Sequence, residues 1–149
     1  MDKNQDPPPA VQEPAQDNQL KTDEAISKGK LILLVEDDPV LARMYGEKFK
    51  NEGFSVAIAT DGETGLKKAL EEKVSLLLLD IMLPRLSGTD LLTKLRGSAQ
   101  GKTMPVIVLT NLAEENEKQK VLALGVKEYL IKAMQTPEKV VDIVKKYLV

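Results

Sequence analysis

The chain has 149 residues, 42% of them hydrophobic, with a formal net charge of −2, which is enough for one domain with a packed core and not for two. It contains no Cys and no His, which excludes disulfide frameworks, thiol chemistry, His-based catalysis and a role as phosphohistidine donor, and removes the usual zinc ligands. Residues 1–29 hold three Lys against six acids, a net of −3, leaving +1 for the remainder; neither part has the basic excess usual for nucleic-acid binding.

The longest apolar stretches, LILLV (31–35) and LLLL (76–79), fall far short of the ~20 residues of a membrane span. The N-terminal MDKNQDPPPA lacks the apolar core of a secretory signal, so a soluble cytoplasmic protein is expected. Residues 1–29 read as a disordered, Pro-rich acidic leader. Four of the eight prolines sit at 7, 8, 9 and 14, and few large apolar residues are present to offset the entropy of ordering. A solvated tail is the plain reading and a docking motif the alternative.

From Lys30 to Val149 strands and helices alternate. LILLV (31–35) is an apolar run without polar alternation, as expected of a strand buried on both faces. Asp38-Pro39 supplies an N-cap and a first-turn proline, and the helix it opens runs to Gly53, a natural stop. FSVAIA (54–59) is the second strand, followed by a helix over 61–72. SLLLLD (75–80) is the third strand and TDLLTKLRG (89–97) the third helix. PVIVLT (105–110), a helix over 113–123 stopped by Gly125, and KEYLI (127–131) follow. Thr136-Pro137 opens a last helix with Val140, Val141, Val144, Tyr147 and Leu148 on one face. Five strands alternating with five helices imply a doubly wound α/β domain, a parallel sheet with helices on both faces. A 2-1-3-4-5 strand order suits five βα units and places ligand chemistry at the carboxyl ends of the strands, near the first and third.

Those ends carry the chemistry. The first strand runs into Glu36-Asp37-Asp38, the third into Asp80, the fourth ends in Thr110, and the fifth runs into Lys132. Singly each has an ordinary structural explanation: Asp38 reads as a helix cap, a threonine at a strand end is usually structural, and a loop lysine is usually solvated. Together, Glu36, Asp37 and Asp80 set three negative charges against the one positive charge of Lys132. Without compensation these carboxylates would take up protons. A hard divalent cation resolves the conflict, and the oxygen-only donor set suits Mg²⁺. A carboxylate, a divalent metal, a lysine and a hydroxyl make a phosphoryl-transfer site with the carboxylate as nucleophile.

The strings LILLVEDDP, LLLLDIMLPRLSG, PVIVLT and EYLIKA, at these spacings, resemble the receiver domain of two-component response regulators over residues ~30–149, chiefly the chemotaxis-regulator-like, stand-alone form. The resemblance implies a flavodoxin-like (βα)5 fold. It implies that Glu36 and Asp37 hold Mg²⁺, Asp37 directly and Glu36 through water, with the backbone carbonyl of Met82 as a further ligand. Asp80 becomes the phospho-acceptor, Thr110 the switch hydroxyl, Lys132 the lysine that contacts the phosphoryl group, and Tyr129 the aromatic switch. Pro84 and Gly88 match the turn after the acceptor. The implied donor is a sensor histidine kinase or a histidine phosphotransfer protein. The implied output is a population shift read on the surface of the fourth helix, fifth strand and fifth helix.

Two residues depart from the usual pattern. Ala133 stands where proline, often after a cis bond, is usual. Because a cis bond before a non-proline residue costs ~2.5–4 kcal/mol, a trans loop is expected. Asn111 follows Thr110 where a small residue is usual, beside the phosphate access route. The polar run AEENEKQK (113–120) is either a solvated helix end or an electrostatic docking surface. No output domain fits after Val149, so the expectation is a non-enzymatic signalling domain acting through an unknown downstream protein or a relay, with no direct DNA binding and no membrane contact. A phosphorylation-independent docking module is the alternative. An aspartate-nucleophile phosphatase is disfavoured, because its usual second acid two residues after the nucleophile is here Met82.

Overall fold

The computed structural model describes residues 29–148; the leader expected over 1–29 lies, but for Gly29, outside the described residues. The elements in order are β1 (Leu31–Val35), α1 (Pro39–Asn51), β2 (Ser55–Ala59), α2 (Gly62–Glu71), β3 (Leu76–Leu79), α3 (Gly88–Arg96), β4 (Val106–Thr110), α4 (Glu115–Ala123), β5 (Glu128–Ile131), a 3₁₀ turn (Lys132–Met134) and α5 (Pro137–Lys146). The five strands form one parallel sheet in the order β2-β1-β3-β4-β5, the order expected for five βα units.

The period-2 geometry of a strand sorts the apolar runs onto two faces. Ile32 and Leu34 of β1, Leu76 and Leu78 of β3, and Ile107 and Leu109 of β4 pack with Tyr45 and Phe49 of α1 and Val140, Val141 and Val144 of α5. The intervening residues Leu33, Val35, Leu77, Leu79, Val106 and Val108 pack on the other face, with Ala69 of α2, Leu91, Leu92 and Leu95 of α3, and Val121 of α4. All of β3 and β4 is buried, which is why these strands carry no polar alternation. Each fully buried leucine contributes about 1.5–3 kcal/mol relative to exposure. β2 lies at one edge and is half open, with Ile58 exposed.

Each helix begins where a side chain accepts its first free N–H groups: Asp38 for α1, Asp61 for α2, Ser87 for α3, Glu114 for α4 and Thr136 for α5. α4 therefore starts at Glu115, two residues later than the sequence suggested, because Glu114 takes the N–H groups of Asn116 and Glu117. Gly53 and Gly125 follow α1 and α4 at φ 98° and 80°, left-handed conformations that terminate a helix at little cost only for glycine. At the amino ends of the strands the Arg96 guanidinium donates to the carbonyls of Leu124, Gly101, Met104 and Gly125. That end of the sheet is closed by a structural clamp, and Glu36, Asp80 and Lys132 lie at the other.

The turn after β3 is folded tightly onto itself. Gly88 N–H donates to the Ile81 carbonyl at 2.8 Å and Gly62 N–H to the Pro84 carbonyl at 3.1 Å. A Cβ on Gly88 would lie 2.4 Å from the Asp80 carbonyl oxygen and 2.6 Å from Ile81 Cα, both backbone atoms. Gly88→Ala is therefore expected to destabilise the domain by about 1–3 kcal/mol in urea denaturation, as overpacking does. Gly97→Ala, whose nearest such contact is 3.5 Å, is expected to be neutral or stabilising by up to about 1 kcal/mol.

Candidate functional site

The sheet order makes β1 and β3 neighbours, with Val35 paired to Leu79, so the next residues, Glu36 and Asp80, emerge side by side. Both are buried, at 2% and 4% exposure. Lys132, reached from β5, places its ammonium 2.8 Å from Glu36 Oε1 and 2.7 Å from Asp80 Oδ2. The second oxygen of each carboxylate takes a backbone donor: Asp38 N–H to Glu36 Oε2 and Met82 N–H to Asp80 Oδ1, each at 3.1 Å. One cation and two backbone amides thus hold two buried anions in fixed orientation.

Asp37 completes the cluster. Oxygens of Glu36, Asp37 and Asp80 all lie within 4.8 Å of one another. Asp37 is exposed and, among the described residues, its carboxylate engages no donor. The site therefore holds three carboxylates against one ammonium, with the unpartnered carboxylate on the open side. All the donors are hard oxygens at one narrow location, and this set fits a small divalent cation such as Mg²⁺. Met82 lies beside it in the chain, its amide on Asp80 and its side chain exposed.

The charges act on each other. Burial pushes the Glu36 carboxyl up, and the bonds from Lys132 and Asp38 N–H only partly oppose it. Burial alone would pull Lys132 down, but its bonds to Asp80 and Glu36 outweigh burial and raise it, so the ammonium persists at neutral pH.

Thr110, the last residue of β4, is fully buried and pairs in register with Ile131, the neighbour of Lys132. Its hydroxyl accepts from Leu112 N–H at 3.2 Å. Tyr129 is half-buried. Its hydroxyl donates to the Leu112 carbonyl at 2.7 Å, and the Lys118 ammonium sits 5.4 Å from its ring centre. Burial, with help from Glu117 and Asp80, raises the Tyr129 phenol. Asp38 caps α1, as expected of an aspartate before a first-turn proline. Every peptide bond among the described residues is trans, Lys132–Ala133 included.

Glu36, Asp37, Asp80 and Lys132 are thus brought together, with Thr110 and Tyr129 one layer behind them around β4 and β5. Two contacts went unanticipated. Thr89, buried at the start of α3, donates to Glu117 of α4 at 2.5 Å. Ala133 N–H donates to Asn111 Oδ1 at 3.1 Å. The second had a visible signal, since both residues already stood out against the usual pattern.

Residues 32–145 match the family model of the response regulator receiver domain. Over 107 residues the chain is 36% identical to the response regulator ArlR of Staphylococcus saprophyticus, covering 72% of this chain and 47% of that one; the chain spans about half the length of this curated relative. The crystal structure of a CheY-like receiver domain protein from Methanospirillum hungatei has a TM-score of 0.74 at 31% identity, over 80% of this chain and 93% of that one. The receiver domain of the sensor histidine kinase PA1611 from Pseudomonas aeruginosa has a TM-score of 0.72 at 28% identity, over 80% and 98%, and carries a magnesium ion coordinated in its active-site cleft. Since the matched family spans the sheet from β1 through most of α5, the chain belongs to the response regulator receiver domain family of two-component signal transduction.

Proposed function

We propose that this chain is a receiver that accepts a phosphoryl group on Asp80 from a sensor histidine kinase or a histidine phosphotransfer protein. The observation that carries this reading is the pose of the Asp80 carboxylate. It is buried, bonded by Lys132 on one oxygen and Met82 N–H on the other, and set beside two further acids. A carboxylate needed only for structure would not be crowded with like charge.

Glu36, Asp37, Asp80 and the Met82 carbonyl would hold Mg²⁺, which when bound supplies the positive charge that the cluster lacks and that a phosphoryl group requires. An Asp80 oxygen attacks the phosphorus of a phosphohistidine. The O–P bond forms as the N–P bond breaks, and the imidazole leaves with its electron pair and takes up a proton. Lys132, already on Asp80 Oδ2, lies where negative charge gathers on the transferred group. Water later attacks the same phosphorus, returning the carboxylate and releasing inorganic phosphate.

The new charge and acceptors would draw the Thr110 hydroxyl away from Leu112 N–H. The loop that moves with it carries the carbonyl to which Tyr129 is bonded, so Tyr129 would turn inward behind Thr110. The signal would emerge on the face built from α4, β5 and α5, toward a protein partner or a relay. The net +1 from residue 30 onward favours a protein partner over direct DNA contact.

Incubation with acetyl phosphate and Mg²⁺ is expected to add the mass of one phosphoryl group to the wild type and none to Asp80→Asn. A labelled Asp80→Asn protein would refute the site. A wild type left unlabelled where a control receiver is labelled would favour phosphorylation-independent docking. Asp37→Asn should weaken Mg²⁺ binding by roughly tenfold or more in titration calorimetry. Lys132→Ala should label slowly, fail to switch partner binding, and lose about 3 kcal/mol of stability in metal-free buffer, the low end for a broken buried pair because the Asp37 side is open.

A further inference from the structure

The two positions where the chain departs from the usual receiver pattern are bonded to each other, Ala133 N–H donating to Asn111 Oδ1 at 3.1 Å. Proline at 133 would have no N–H to give, and a small apolar residue at 111 would have no oxygen to receive it. Each departure therefore supplies the half of the bond that the other needs.

Beyond the Lys132 ammonium on Glu36 and Asp80, the turn after β5 has few anchors, and the bond ties it to the better-held loop after β4. The turn Lys132–Met134 buries none of its residues and has no side-chain cap. Its backbone closes on itself locally, with Gln135 N–H donating to the Lys132 carbonyl at 3.2 Å. Packing does not set the position of this turn. Across from it, Thr110 is fully buried, and Leu112 is tied by its N–H to Thr110 and by its carbonyl to Tyr129. Asn111 is the residue of that loop whose side chain reaches the turn. The turn carries Lys132, and the loop carries Thr110.

We propose that Asn111 is a positioning residue, clasping the Lys132 turn to the Thr110 loop so that the ammonium and the hydroxyl meet the phosphoryl group as one unit. The proposal rests on the phospho-acceptor reading of Asp80. A single neutral bond at the surface adds little to global stability. Its effect is to narrow the range of Lys132 positions, so it is read in rates and local exchange rather than in melting temperature.

The test uses Asn111→Leu, which keeps the bulk and removes the acceptor, and Asn111→Asp, which keeps an acceptor oxygen. Ala133 amide hydrogen exchange, followed by NMR, is expected to speed up roughly two- to tenfold in Asn111→Leu, the range a single such bond spans, and to return toward wild type in Asn111→Asp. Labelling by acetyl phosphate and Mg²⁺ should slow by a similar factor in Asn111→Leu, and Asn111→Leu should slow it no further in a Lys132→Ala background. Unchanged Ala133 exchange would overturn the clasp. Equal slowing with and without Lys132 would overturn action through the lysine and point instead to phosphodonor access. Failure of the wild type to label would sink the Asp80 reading and the positioning role with it, while the exchange arm reports separately on the bond.

Discussion

One ammonium holding two buried carboxylates is the interaction on which the site depends. An unpaired carboxylate at the exposure of Glu36 or Asp80 costs several kcal/mol, and Lys132 supplies the partner that both share. The sheet order explains why the residue is a lysine. β4 lies between β3 and β5, so the cation must reach from the end of β5 past the end of β4 to Asp80 and Glu36. A long unbranched stem can do this, provided that the residue closing β4 is small. Thr110 is small, and it offers a hydroxyl in addition.

The same charges are incompletely balanced. Three carboxylates share one ammonium, and the unpartnered one, Asp37, faces solvent. Packed apolar residues of similar volume would serve stability as well or better. The domain instead keeps a local deficit of positive charge at the open end of a rigid sheet, where a divalent cation and then a phosphoryl group would relieve it. The rigidity comes from the two apolar faces of β1, β3 and β4, which fix the spacing of Glu36 and Asp80 to within a hydrogen bond of a shared donor.

Most of this was legible in the residues. LILLV and LLLL read as strands buried on both faces and VIVLT as a further strand, and the polar residues at the carboxyl ends of the strands lay at one end of the sheet by topology alone. The caps Asp38 and Thr136 were legible because short acceptors before a helix-opening proline have one common use. The start of α4 was not. Its first turns bury nothing, so no apolar period marks them, and the boundary depends on Glu114 folding back onto its own backbone. The Asn111–Ala133 bond was hidden for another reason. It joins loops 22 positions apart whose approach is set by the parallel register of Thr110 with Ile131, and register is not visible in a local window. Only the coincidence of two unusual residues hinted at it.

The uneven anchoring of the helices indicates where a signal could travel. α5 buries Val140, Val141 and Val144 against the sheet, and α1 buries Tyr45 and Phe49. Moving either would uncover several large side chains at about 1.5–3 kcal/mol each, more than a few new hydrogen bonds to a phosphoryl group would return. α4 buries Val121 alone. Leu112 before the helix and Leu124 at its end pack partly on the core, and the other contacts are polar: Thr89 on Glu117, Lys118 over the Tyr129 ring, and Tyr129 on the Leu112 carbonyl. Polar contacts of this kind exchange for water at small net cost, so α4 sits at the low-stability end of the domain. It also follows directly on the loop that begins at Thr110. A displacement of that hydroxyl by charge appearing on Asp80 would therefore be taken up in α4 and the Tyr129 side chain before it disturbed α1 or α5, because that is where the opposing free energy is smallest.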